Sequence, residues 1–133
     1  MTRLLACSFV AVALAAAAPA ALASDSTLGL RVSLQTIQLG SDVARLKLAR
    51  TPAQEAKASA RLKVDAAKAT RDVKAQRPTS ALGARCKRAA LSSYAQFAAA
   101  AKAFATGSQL RGRALTDSGL SKLETAARLA AKL

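Results

Sequence analysis

Apolar residues recur at helical steps through most of the chain. From Pro52 to Gln76 the series Ala58, Leu62, Ala66, Ala69, Val73 advances by steps of 4, 4, 3 and 4, which places all five on one face of a helix. Lys57, Arg61, Lys68 and Arg71 fall on another face. From Ala81 to Thr106 the series Leu82, Cys86, Ala90, Ser93, Phe97, Ala101, Phe104 keeps the same rhythm and supplies the best core candidates. From Ser118 to Leu133, Leu120, Leu123, Ala127 and Ala130 form a third stripe, with Glu124 and Arg128 spaced as an i, i+4 ion pair.

The segment from 27 to 50 carries two signals. Leu28, Leu30, Val32 and Leu34 alternate as in a strand, whereas Leu30, Leu34 and Ile37, and separately Leu39, Val43 and Leu46, fit helical spacing. A lone strand has no partner in a chain otherwise read as helix, so helix is the expectation, with a break allowed at Gly40-Ser41-Asp42.

Breaks separate the helices. Thr51-Pro52-Ala53-Gln54 reads as an N-cap, a Pro at the first helical position and a Gln at the third. Pro78-Thr79-Ser80 makes the second break. Thr106-Gly107-Ser108 makes the third, with Gly107 suited to the left-handed residue that closes a helix. Gly112 and Thr116-Asp117-Ser118-Gly119 delay the last regular helix to about Ser118. The fold class read from these patterns is all-α, a small bundle of three or four antiparallel helices following a cleaved N-terminal signal peptide.

Residues 1–23 read as a signal peptide, the alternative being an uncleaved anchor over Leu4 to Ala23. Arg3 gives one positive charge, Leu4 to Leu14 is apolar apart from Ser8, Pro19 interrupts the apolar run, and Ala21-Leu22-Ala23 offers small residues at a cleavage site before Ser24. Leu4-Leu5-Ala6-Cys7 has the letters of a lipoprotein cleavage box but stands too near the start for an apolar stretch to precede it. An exported chain, periplasmic or extracellular, is therefore expected, with residues 24–133 forming one basic, Ala-rich helical domain. Removing Arg3 with the leader leaves a net charge of +13. Leu, Ile, Val and Phe make up 22 of those 110 residues, few enough that a core must lean on Ala for close helix contact.

Charge of this sign spread along the chain points to an anionic polymer or lipid surface as partner. The candidate binding residues are Lys57, Arg61, Lys68 and Arg71 on one helix and Arg85, Lys87 and Arg88 on the next. Nucleic acid would be bound only non-specifically, through phosphate charge. The alternative is a protein-interaction module or homo-oligomer whose sparse core a partner completes. Gly119 to Leu133 resembles short cationic amphipathic peptides, although the same stripe serves to close a bundle.

Catalytic chemistry has little to build on. There is no His, and after cleavage Cys86 is the one thiol, so neither a zinc cluster nor an internal disulfide is expected. No nucleophile elbow, phosphate-binding Gly loop or dinucleotide fingerprint occurs, and no cofactor is implied. A non-enzymatic role at the bacterial cell envelope is the expectation. Cys86, flanked by Arg85 and Lys87, reads either as a reactive thiol or, on its apolar face, as a small core residue; the second reading is preferred.

Overall fold

The computed structural model describes the backbone of residues 2–133 and the side chains of residues 24–133. Four α-helices follow one another: α1 (Thr2–Leu48), α2 (Pro52–Lys74), α3 (Ala81–Ala105) and α4 (Gln109–Ala130). Among the described residues there is no strand, so the helical reading of residues 28–34 holds. The expected signal peptide falls on residues whose side chains are outside the described set.

The helix ends follow the chemistry of their residues. Thr51 Oγ1 accepts from the Gln54 amide at 3.2 Å, Pro52 takes the first turn, and Gln54 Oε1 accepts from the Arg50 amide at 2.9 Å. Ser80 Oγ accepts from the Gly83 amide at 2.9 Å and caps α3. Gly107 adopts φ +80° after α3, and the Ser108 amide bonds back to Ala103 O at 2.8 Å, closing the helix as expected.

Successive helices run antiparallel. Gln38 and Asp42 of α1 meet Asp65 and Arg61 of α2, Lys87 of α3 reaches back to the end of α2, Ser93 and Cys86 of α3 meet Gly119 and Ala126 of α4, and Lys47 of α1 meets Asp117 of α4. The helices therefore form a ring in chain order, with α3 and α4 the most intimate pair and α1 diagonal to α3.

The core is thin and regular. Ala58, Leu62, Ala66, Ala69 and Val73 of α2 are all buried, as their spacing predicts, and Cys86, Ala90, Ser93, Phe97 and Ala101 of α3 are buried while Leu82 and Phe104 sit at its edges. Tyr94, absent from the expected stripe, is fully buried, and its hydroxyl donates to Gln35 Oε1 at 2.6 Å across to α1. Burial pushes the phenol well above its ordinary range. Cys86 is a core residue: its thiol donates to Ala126 O at 3.6 Å, and burial raises its pKa despite the neighbouring cations.

Two expectations are corrected. First, α1 runs unbroken through Gly40-Ser41-Asp42. Ser41 faces solvent, and Asp42 turns inward against α2, so tertiary contact absorbs a polar triplet that would otherwise favour a turn. Second, α4 begins at Gln109, about nine residues before Ser118. The supposed breakers form its contact face: Gly112, Thr116, Gly119, Leu123, Ala126 and Ala130 are buried at steps of 4, 3, 4, 3 and 4. Thr116 Oγ1 donates to Gly112 O at 2.8 Å, which satisfies its buried hydroxyl within the helix. The α4 stripe is accordingly centred on Leu123, Ala126 and Ala130, with Leu120 and Ala127 at its margins.

Candidate anionic-surface site

Two stripes of α1 point in opposite directions. Leu28, Val32, Leu39, Val43 and Leu46 are buried in the bundle. Leu30, Leu34, Ile37 and Leu48 face solvent, at 62%, 58%, 72% and 74% exposure. The helical series Leu30, Leu34, Ile37 is therefore an outer face and not part of the core, because Val32 and Leu39, half a turn away, already fill the space against α2 and α4. A bundle of this size has no structural use for a second apolar stripe on one helix.

The cations of α2 lie beside that stripe. Lys57, Arg61, Val64, Lys68 and Arg71 recur at steps of 4, 3, 4 and 3 on the exposed arc of α2, with Val64 65% exposed among them. Two shallow grooves between α1 and α2 join the sets. One is lined by Arg45 and Leu48 of α1 with Lys57 and Arg61 of α2; the other by Arg31 and Leu34 of α1 with Lys68 of α2, and also by the carboxylates of Asp65 and Asp72. Arg31 and Arg45 are thus members of the site that sequence reasoning missed. Their signal was available in the helical spacing of α1, but only once the buried stripe is known does the exposed arc become identifiable.

The other predicted residues behave differently. Lys87 Nζ donates to Lys74 O at 3.0 Å and to Gln76 O at 2.6 Å, so its ammonium caps the carbonyl end of α2. Arg85 and Arg88 are exposed on α3, the helix diagonal to α1, and line neither groove. The seven cations therefore do not make one patch. Lys57, Arg61, Lys68 and Arg71 do, and among the described residues Lys57, Lys68 and Arg71 have no ion-pair partner.

Arg61 is positioned from below. Its Nε lies 3.5 Å from Asp42 Oδ1 and 4.0 Å from Asp65 Oδ2, and Gln38 Nε2 donates to Asp65 Oδ2 at 3.0 Å. The Asp42 side chain is fully buried, and its two oxygens have no donor within hydrogen-bond reach. Burial, then the adjoining Asp65 carboxylate, pushes its pKa up to about 7, against the opposing pull of Arg61 and Arg45. Asp65 is held below its ordinary value, chiefly by its pairing with the Asp42 carboxyl and by the hydrogen bond from Gln38. The two carboxyls lie between α1 and α2, directly beneath the basic stripe.

A second carboxylate, midway along α1, ties that helix to the start of α3. Asp25 accepts from the Thr79 amide at 2.9 Å and from the Ser80 amide at 3.2 Å, and Ser24 Oγ donates to Arg77 O. These bonds to Ser80 and Thr79 hold the Asp25 pKa down. Gly83 is required here, since a Cβ would stand 2.6 Å from Asp25 Oδ1.

Among the described residues no cluster of three or more His, Cys, Asp or Glu side chains could hold a metal ion. Within residues 24–133 no helical segment is long and apolar enough to cross a membrane. Comparison with protein families, with curated proteins and with solved structures finds no match to this chain.

Proposed function

We propose that the protein is exported, non-enzymatic and held to anionic material of the bacterial cell envelope by the α1–α2 face. The observation that carries this reading is the row of Lys57, Lys68 and Arg71, exposed, without ion-pair partners and flanked by Arg31 and Arg45 from the adjacent helix. Lys68 acts on the nearby Asp65 carboxylate without forming an ion pair with it, and exposed cations not gripped at ion-pair distance keep most of their interaction for an external anion. Aligned on one face, they present a row of like charge to an extended anionic surface.

Export fits the way residues 24 and 25 are used. With the leader cut after Ala23, the new chain start is anchored at once, Ser24 on Arg77 O and Asp25 on the first amides of α3. Cleavage there leaves the buried stripe from Leu28 to Leu46 in the mature chain.

Binding is expected to be steeply salt-dependent. The protein should co-sediment with envelope material and with vesicles containing an anionic phospholipid at low ionic strength, and should be released at about 0.5 M salt. Neutralising three exposed cations that form no ion pair, K57Q/K68Q/R71Q, should weaken low-salt binding about a hundredfold, at about 1 kcal/mol for each basic residue near a charged surface. Retention that is indifferent both to salt and to these substitutions would rule the reading out.

A further inference from the structure

Charge explains the α2 row but leaves the outer stripe of α1 without a purpose. Leu30, Leu34, Ile37 and Leu48 run for about 27 Å along the helix, at 1.5 Å per residue. All four are more than half exposed. A soluble anionic polymer offers such a stripe no apolar phase, whereas an interfacial helix is defined by this arrangement, a greasy arc edged with basic residues.

Resting on the electrostatic reading above, we infer that α1 is the face of the bundle that lies in the headgroup layer of an anionic lipid bilayer, with Leu30, Leu34, Ile37 and Leu48 entering the acyl boundary. Arg31, Arg45, Lys57, Arg61 and Lys68 stand along one edge of the stripe, where a half-sunk helix meets the phosphates. The neighbouring arc of α2 adds Val64 to the apolar side and Arg71 to the basic one. The long stems of Lys and Arg suit this edge, because they reach up to the headgroups while their methylenes remain against the apolar layer.

A second copy of the chain is the obvious competitor for an exposed apolar stripe, and charge argues against it. Two such faces brought together would confront the Arg31, Arg45, Lys57 and Arg61 edges of two chains that each carry a large positive excess. An anionic bilayer meets both halves of the surface, apolar with apolar and cation with phosphate.

The deciding experiment compares the purified protein with L34S/I37S, two substitutions at exposed positions, on vesicles of phosphatidylglycerol mixed with phosphatidylcholine and on dextran sulfate, a polyanion with no apolar phase. The variant should melt as the wild type does, lose about thirtyfold in affinity for the vesicles, and keep its affinity for dextran sulfate. Unchanged vesicle affinity in L34S/I37S overturns the inference; if that affinity is still abolished by salt, the electrostatic reading stands without it. A salt-sensitive wild-type dimer is excluded as the occupant unless sedimentation shows the wild type dimeric and L34S/I37S monomeric, and that result also overturns the inference.

Discussion

Gly119→Ala is expected to lower the unfolding free energy by about 3 kcal/mol. A Cβ at Gly119 would stand 2.7 Å from Phe97 Cε1 and 2.8 Å from Cδ1. Phe97 is fully buried and has nowhere to go, so α3 and α4 must separate. Separation also stretches the bond from Ser93 Oγ to Gly119 O, 2.8 Å in the native packing, and leaves a buried hydroxyl without its acceptor. The helix-propensity gain of Ala over Gly, about 1 kcal/mol, is too small to compensate. For a domain of this length the loss corresponds to a drop of roughly 15 °C in melting temperature. Combining G119A with F97L should recover part of it, and a double-mutant cycle showing strict additivity would mean that the ring is not what the methyl meets.

Asp42→Asn is expected to stabilise the protein above pH 7 and to remove most of its pH dependence between pH 5 and 8. The folded-state pKa of Asp42, about 7, lies above its unfolded value of 3.8. A raised pKa means that the folded chain holds a proton the unfolded chain has released, so the contribution of Asp42 is complete below about pH 4 and is lost as pH rises through 7. With partial compensation from Arg61 and the partly solvated Asp65, the wild type should lose roughly 2 kcal/mol across that window. The chain has no His, so no other side chain with an ordinary pKa titrates there. Asn keeps a donor toward Asp65 without an ionisable proton. Urea unfolding at pH 5 and pH 8 checks this: the wild type should be less stable at pH 8 and D42N nearly equal at both, whereas a parallel decline in D42N would remove Asp42 as the cause.

The parts of this account that could be read from the chain are those set by local chemistry. The α2 stripe from Ala58 to Val73, the cap at Thr51, the break at Pro78-Thr79-Ser80 and the left-handed Gly107 follow from helical period and backbone preference alone. What failed was polarity and glycine content judged without a neighbour. Gly112 and Gly119 read as breaks because Gly weakens an isolated helix, yet they are the positions where Phe104 and Phe97 lie against the α4 backbone. Asp42 read as part of a turn because its partners, Asp65 and Arg61, are supplied by a different helix. The basic row of α2 was legible as spacing, but its neighbours Arg31 and Arg45 were not, since the outward direction of α1 depends on which of two apolar stripes the bundle takes. Lys87 illustrates the converse: a cation adjacent in sequence to Arg85 and Arg88 is drawn off by the open carbonyls at the end of α2.

The central claim is that α1 presents one stripe to the bundle and the other to an anionic bilayer. It is tested most directly by an environment-sensitive fluorophore placed singly at position 34 on α1 or at position 88 on α3 of the chain cut after Ala23, which lacks Cys7, so that the buried Cys86 leaves the introduced cysteine as the reactive thiol. On phosphatidylglycerol vesicles at low salt, emission from position 34 should shift to the blue while emission from position 88 stays that of a water-exposed probe. A shift at position 88 with none at position 34 would contradict the orientation, and so would the absence of a shift at either position on vesicle-bound protein.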